Sequence, residues 1–338
     1  MIESSRNLTV PVALILAPRM ETVSRVLAAI KAARPGRLYV VADAGWSPET
    51  EEGFKKVKDL IATIDWCDVR THYAEKNMGA KMRLATGISW VFEQEERAII
   101  LEHDCLPHPS FFRYCDELLE RYKDDERVMH IGGSNFFKAL KSKFESADSY
   151  FFTTVPHIWG FATWRRAWKY YDVKVAEWPA ARARRMLYDI FHDDAVAYRW
   201  ENRLQEYYEG RIESWDGQWT FAVLSQGGLS INPSVNLVSN IGFGSQALSC
   251  KDIDSPLANM PTTPIGFPLV HPPFMIVNQE AEFYINRDLF RIGRTRLQRL
   301  KWRLKKMFPR LYALIKHLSG RPIDLVQPSL REQSWNHR

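Results

Sequence analysis

The sequence predicts an α/β protein built on a mostly parallel sheet between layers of helices, followed by a basic tail. Three observations carry that expectation. Strand and helix signals alternate through the first hundred residues, as βαβ units require. The strand signals are continuous apolar runs such as Ala98-Ile99-Ile100-Leu101, which suits strands covered on both faces. Polar clusters then fall at strand ends or helix starts, where open α/β sheets bind their ligands.

Residues 12–17 read as the first strand. Residues 21–33 read as a helix with Val23, Val26, Leu27 and Ile30 on one face, ended by Arg34-Pro35-Gly36. A second strand at 38–42 finishes at Asp43-Ala44-Gly45. A helix near 49–64 and a short strand near 68–72 follow. The segment Glu75-Lys76-Asn77-Met78-Gly79-Ala80-Lys81 opens a helix that runs to about residue 94, and the strand at 98–101 closes this half. That strand stops abruptly at Glu102-His103-Asp104, which reads either as a polar turn or as a ligand site. Pro107 and Pro109 break regular pairing, and Ser110 is placed as the cap of a helix beginning at Phe111.

The second half has a different texture. Residues 128–131 form a strand, and 138–149 a loop of mixed charge. The stretch YFFTTVPHIWGFATWRRAW, 150–168, suits a surface that stacks on sugars or flat rings, with an aromatic core segment as the alternative. Residues 178–210 read as a charged, helical, peripheral excursion. A helix within 214–228 has Asp216 at its beginning, Trp219, Ala222 and Val223 on its inner side, and Gly227-Gly228 at its end. Residues 228–244 read as a strand and a glycine-bearing loop, and prolines from 256 to 273 as an extended wrap. No internal repeat is present.

The chain has 338 residues, 46% hydrophobic and 25% charged, enough for a sizeable core. No apolar stretch approaches the roughly 20 residues needed to span a bilayer. The amino terminus reads as a first strand and not as a secretion signal. Four cysteines lack paired spacing or a zinc pattern, so reduced thiols in a cytosolic setting are expected. The net charge of +6 conceals an asymmetry: residues 287–316 carry eleven Lys or Arg against the single acid Asp288, leaving a mildly acidic body. Within that segment Leu297, Leu300, Leu304, Phe308, Leu311 and Ile315 recur at steps of three and four. Such a basic amphipathic helix fits an anionic membrane surface, or a helix packed on its own domain. No nucleic-acid-binding motif accompanies the charge.

The order of these motifs resembles nucleotide-sugar glycosyltransferases of the GT-A fold, especially bacterial family-two-like enzymes and relatives of N-acetylglucosaminyltransferase I. The residues that carry it are 101–136, HIWGFATWRRAW, WDGQW and GLSINPSVNLVSNIGFG, so the resemblance spans roughly residues 10–245. It implies a GT-A domain over residues 1–285, with a nucleotide-sugar-binding half at 10–136 and an acceptor-binding half at 137–285, and a separate basic tail at 286–338. The implied reaction moves a hexosyl or N-acetylhexosaminyl group, from a UDP-sugar by preference, to a glycan or lipid-linked acceptor with inversion. The implied location is cytoplasmic, peripheral on the inner face of a cell membrane.

The resemblance also assigns roles. Glu102-His103-Asp104 matches the family's acidic motif, with Asp104 as ligand of a divalent Mn²⁺ or Mg²⁺ and Glu102 and His103 as nucleotide-sugar-binding residues, Glu102 orienting water or the ribose; His103 departs from the Asp that relatives often carry. Asp43 matches the position that recognises base or ribose, its alternative being a turn residue. Asn77, Lys81 and Arg83 match the diphosphate-facing segment, their alternative being solvent-facing helix charges. Asp216 matches the catalytic base, with helix capping as the competing reading, and Gly217 stands where relatives often carry a second acid. His157, Trp159, Gly160, Trp164 and Arg165 fall in the acceptor pocket. Two other classes stay open. A nucleotidyltransferase shares the architecture, but the first strand is followed by Ala17-Pro18-Arg19-Met20-Glu21, without its glycine-rich loop. A carbohydrate-binding or membrane-adaptor protein that lacks turnover is the third reading.

Overall fold

The computed structural model describes residues 8–244, 252–292 and Phe308. The expected apolar stripe of the tail helix therefore lies, Phe308 apart, outside the described residues, which cover the basic segment only at 287–292 and Phe308.

The first half alternates as expected: β1 Val12–Ile15, α1 Met20–Ala33, β2 Arg37–Ala42, α2 Pro48–Ala62, β3 Asp68–Tyr73, α3 Gly79–Gln94 and β4 Arg97–Glu102. The strands pair in the order β3-β2-β1-β4, all parallel. Their two-residue period divides the apolar side chains between two cores. Val12, Leu14, Leu38, Val40, Ile99 and Leu101 face a core shared with α1 and α2. Ala13, Ile15, Tyr39, Val41, Ala98 and Ile100 face the opposite core, shared with α3. Capping explains the helix limits. Arg34 ends α1 in the left-handed conformation at φ 52°, and Ser47 starts α2 with a reciprocal capping box to Thr50 and Pro48 in the first turn.

The second half contains β5 Cys105–Pro107, α4 Pro109–Arg121, β6 Val128–Gly132, β7 Tyr150–Thr153, β8 Phe161–Trp164, α5 Arg165–Trp168, α6 Trp178–Ala183, α7 Met186–Ile190, α8 Asp194–Tyr208, α9 Asp216–Ser225, β9 Leu229–Pro233, β10 Val238–Asn240 and α10 Gln279–Tyr284. The main sheet continues β4-β8-β6-β9-β7, with β8 and β7 antiparallel to their neighbours and the other six strands running one way. The predicted α/β class, a mostly parallel sheet between helix layers, is the observed architecture. The segment 228–244 divides at Pro233: β9 joins the main sheet, whereas β10 pairs antiparallel with β5 in a separate two-stranded ladder.

Two local expectations are corrected. The cap of α4 is His108, whose Nδ1 accepts from Ser110 N at 3.1 Å, and Pro109 occupies the first turn because its missing N–H costs nothing there. The aromatic segment 150–168 is mostly core: Tyr150, Phe151, Phe152, Phe161, Trp164 and Trp168 are all buried. Its strands lie within the sheet or under α10, so both faces are covered.

The helical excursion is not merely peripheral. Val175, Trp178, Leu187, Phe191, Val196, Trp200 and Leu204 form a core of their own, and Phe221 and Leu224 of α9 join it. Trp219, Ala222 and Val223 meanwhile face the sheet. Helix α9 is thus buried on every side from Gly217 to Leu224, which fixes the position of its first residue, Asp216.

His130 on β6 ties α9 to the sheet. The Trp219 indole N–H donates to its Nδ1 at 3.1 Å, so Nδ1 carries no proton and Nε2–H donates to His157 O at 3.0 Å. Burial lowers its pKa from 6.5 to about 3. The folded protein therefore excludes a proton that the unfolded chain binds below about pH 6.5. This stabilising contribution is complete above that pH and declines as pH falls towards 3. Glu102, whose raised pKa acts with the opposite sign, makes the bare pH profile a mixture. The difference between wild type and His130→Gln isolates the histidine. The stability advantage of wild type is expected to shrink by about 1.4 kcal/mol between about pH 7.5 and about pH 5.5. Urea unfolding at both pH values measures it, and an unchanged difference would contradict a neutral His130 in the folded protein.

Candidate active site

The apolar run of β4 ends at Glu102, and the chain turns through His103 and Asp104 into β5. The β5–β10 ladder holds this turn, with Asn240 opposite Cys105 and Ile241 N donating to Asp104 O at 2.8 Å. From the other side α9 presents Asp216, preceded by Trp215. Enclosure away from water raises the Glu102 carboxyl well above its ordinary range, and the charges of Asp104 and Asp216 raise it further. A hydrogen bond from the Trp215 side chain opposes them. Three carboxylates, from positions 102, 104 and 216, therefore share one electrostatic neighbourhood.

Asp216 does not cap its helix. The cap position is Trp215, with no side-chain cap bond. The Asp216 carboxylate instead accepts from the Ser214 hydroxyl and, at 3.3 and 3.4 Å, from the Tyr207 hydroxyl. Burial and then the Asp216 charge raise the Tyr207 pKa, so its hydroxyl keeps the proton it donates. Gly217 acquires a reason. A Cβ there would run into the Tyr207 ring, so the second acid of the resembling enzymes has no room where this tyrosine packs.

Arg19, just beyond β1, supplies positive charge. Its Nη1 donates to Gly242 O at 2.8 Å. Burial first, and then the Arg19 charge, lower the pKa of His103, while Asp104 acts against them. His103 Nδ1 lies 3.5 Å from Asp104 Oδ1 and has no hydrogen-bond partner. Gly242 lets the backbone pass directly against the acid: a Cβ built on it would meet Asp104 Oδ2 and lie 2.7 Å from its Cγ.

No group of three or more His, Cys, Asp or Glu able to hold a metal occurs among the described residues. Glu102 and Asp104 do supply oxygen donors from one turn, and the Glu102 carboxyl is raised by burial first and then by the charges of Asp104 and Asp216. A divalent ion that takes its remaining ligands from water and phosphate fits such a pair.

A second polar group lies at the same sheet edge. Asp43, directly after β2, accepts from Ala44 N and Met78 N, each at 2.9 Å, and from Asn77 Nδ2 at 3.2 Å. It ties the end of β2 to the turn before α3. Since β1 separates β2 from β4, this group sits roughly 10 Å from the acidic one. Lys81 is in the first turn of α3 and makes no ion pair with another described residue. Arg83 is buried, its guanidinium donating to His72 O and to Thr86 Oγ1.

The expected acceptor set does not assemble. Trp164 is buried with its indole N–H on Leu119 O, and it pairs with Arg97 at the opposite end of β4 from Glu102. Arg165 follows it and donates through Nε to Phe92 O, closing the end of α3. His157 is buried, with Nδ1 on Ser134 O at 3.4 Å. Gly160, at φ 64°, makes room for Val238 and Leu101 and not for a ligand. Trp159 is half-buried and edge-on to Phe243, the neighbour of Gly242. Sequence reasoning missed Arg19, Tyr207, Ser214, Trp215 and Gly242. A cation at the end of the first strand was the available signal for Arg19; the others act through contacts between distant segments.

No protein-family model matches the chain, and no curated protein matches it. Partial likenesses occur among solved structures. The mannosyltransferase PcManGT from Pyrobaculum calidifontis, in complex with GDP-Man and Mn²⁺, is 15% identical over 48% of this chain and 46% of that one, with a TM-score of 0.35. Residues 1–349 of TarS from S. aureus are 10% identical over 49% of each chain, with a TM-score of 0.32. The 4-diphosphocytidyl-2C-methyl-D-erythritol synthase from Anaerococcus prevotii is 11% identical over 50% of this chain and 78% of that one, with a TM-score of 0.32. The chain spans about half the length of the first two, and the functional reading rests on its own side chains.

Proposed function

We propose that the chain is a glycosyltransferase that moves a sugar from a nucleoside diphosphate, UDP by preference, to an acceptor hydroxyl. The observation that supports it is the convergence of Glu102, Asp104 and Asp216 beside Arg19 at the carboxyl edge of the parallel strands. Two needs of the reaction match it. Charge grows on the departing diphosphate, and Glu102 with Asp104 would hold a divalent ion that neutralises it. Arg19 adds a fixed positive charge on that side. The acceptor hydroxyl must lose its proton as its oxygen attacks the anomeric carbon. Asp216 takes that proton; the new C–O bond forms on one face while the bond to the diphosphate breaks on the other, its electron pair leaving on the phosphate oxygen. Tyr207 and Ser214 orient the base. Asp43 and Asn77 lie where base or ribose would extend along the strand ends, and Trp159 where an acceptor ring would stack. Hexosyl and N-acetylhexosaminyl donors both suit this arrangement.

Titration of UDP and GDP, each with and without Mn²⁺, tests the reading. One nucleotide is expected to bind in a metal-dependent way, and Asp104→Ala to weaken that binding by at least about tenfold. Absence of binding by either nucleotide would favour the carbohydrate-binding alternative.

The basic segment 287–316 supports a further part of the reading, attachment to an anionic membrane surface near lipid-linked or surface-glycan acceptors. No helix among the described residues is long and apolar enough to cross a membrane. The full chain is expected to sediment with anionic vesicles and not with neutral ones, and the chain ending at residue 286 with neither. Equal sedimentation of both chains would remove the tail from this role.

A further inference from the structure

We propose a binding site for a neutral, hydroxyl-rich ligand of monosaccharide size, separate from the acidic cluster. A cavity of about 360 Å³ lies between the start of α8 and the segment 279–292, at the small end of the range for ligand pockets. Its walls include Thr154, Phe191, Glu282, Phe283, Asn286 and Arg287. Helix α10 packs on β7, at the far edge of the sheet. Four strand spacings separate β7 from β4, so the cavity is roughly 19 Å from Glu102. The proposal does not rest on the glycosyltransferase reading.

One acceptor among the residues of the cavity wall lacks a donor. Glu282 is only 7% exposed; its Oε1 takes the Thr154 N–H at 2.6 Å, while Oε2 receives a long bond of 3.4 Å from Asn286 Nδ2. That bond turns the Asn286 amide nitrogen towards the carboxyl, and Asn286 Oδ1 is left buried with no partner. A buried carbonyl oxygen without a donor is an unfavourable state that a ligand hydroxyl relieves.

Charge narrows the ligand class. Acceptors facing the cavity disfavour an anion. A cation would meet Arg287, itself paired with Asp288 at 2.7 Å, beside the acids Asp193 and Glu282, and both Glu282 oxygens already accept from the protein. Burial also raises the Glu282 carboxyl, which favours its neutral form. Neutral donors remain. Phe191 and the half-exposed Phe283 give the cavity apolar walls beside these polar atoms. Sugars present that combination, hydroxyls at the ring edge and C–H groups on its faces.

Saturation-transfer NMR and titration on the full chain, with glucose, N-acetylglucosamine and glucosamine as probes, test the site. A neutral sugar is expected to bind wild type at millimolar concentration. Asn286→Leu, which removes the orphan oxygen, and Ala195→Trp, which fills the cavity, are each expected to weaken that binding at least about tenfold. Thermal midpoints and nucleotide titrations measured alongside report folding and the acidic cluster independently. Three outcomes would overturn the proposal: no binding of either neutral sugar, binding by glucosamine alone, or binding undiminished in a folded Asn286→Leu protein.

Discussion

Asp216→Asn is expected to lower sugar transfer by about 10²–10⁴-fold, the usual worth of a positioned general base, with nucleotide affinity preserved. The substitution is close to isosteric, and its Oδ1 still accepts from Ser214 and Tyr207, the partners of the present carboxylate. Helix α9 is enclosed from Gly217 to Leu224, so the position itself does not move. Only the ability to take a proton is lost. The experiment separates the base from a purely structural role, because Asn keeps the hydrogen bonds to Ser214 and Tyr207 and a structural residue would leave turnover unchanged. Initial rates of transfer or donor hydrolysis, with nucleotide titration on the same preparation, decide it. Full activity in Asp216→Asn would remove the base assignment, whereas lost nucleotide binding would show that the variant disturbed the neighbouring acids. Tyr207→Phe removes one orienting donor and is expected to cost less.

The first half of the fold was legible because local signals agreed there. Apolar runs of strand length, separated by helices with breaks such as Arg34-Pro35-Gly36, leave few topologies for a parallel sheet. The acidic turn was legible as a place, since Glu102-His103-Asp104 stops an apolar run of strand length, but by itself it read equally as a polar turn. Asp216 was placed by its position at the start of a helix. What surrounds it was not, since Tyr207 reaches it from a helix in the excursion and displaces the second acid at Gly217.

The aromatic segment misled for a physical reason. Aromatic side chains serve sugar stacking and core packing alike, and the sequence does not show that β8 is inserted between β4 and β6. Once it is, Trp164 faces α4 and Arg165 lies at the wrong end of the sheet for the acids. Asp43 was read as a ligand-facing group or a turn residue. Three donors from the protein bind it as a structural tie, and its remaining lone pairs determine what else it can hold.

Gly242→Ala is expected to weaken metal-dependent nucleotide binding as strongly as Asp104→Ala does. The argument is steric. Gly242 does not occupy the left-handed region, so alanine brings no conformational strain of its own. Its methyl group, however, would lie 2.8 Å from Asp104 Cβ and collide with the carboxylate. The backbone has little freedom to retreat: Asn240 Oδ1 accepts from Gly242 N at 2.9 Å, and Arg19 donates to Gly242 O at 2.8 Å. The side chain of Asp104 must therefore turn, carrying its oxygens away from Glu102. Disturbing a metal ligand's support in this way costs about 10–100-fold in affinity. A double-variant cycle separates this from general damage. If the methyl group acts through Asp104, adding Asp104→Ala to Gly242→Ala lowers Mn²⁺-dependent nucleotide affinity little further, a strongly non-additive result. Additive losses would mean that the Gly242 backbone contributes through Arg19 and not through the acid. Wild-type affinity in Gly242→Ala would show that Asp104 is not the group on which nucleotide binding depends.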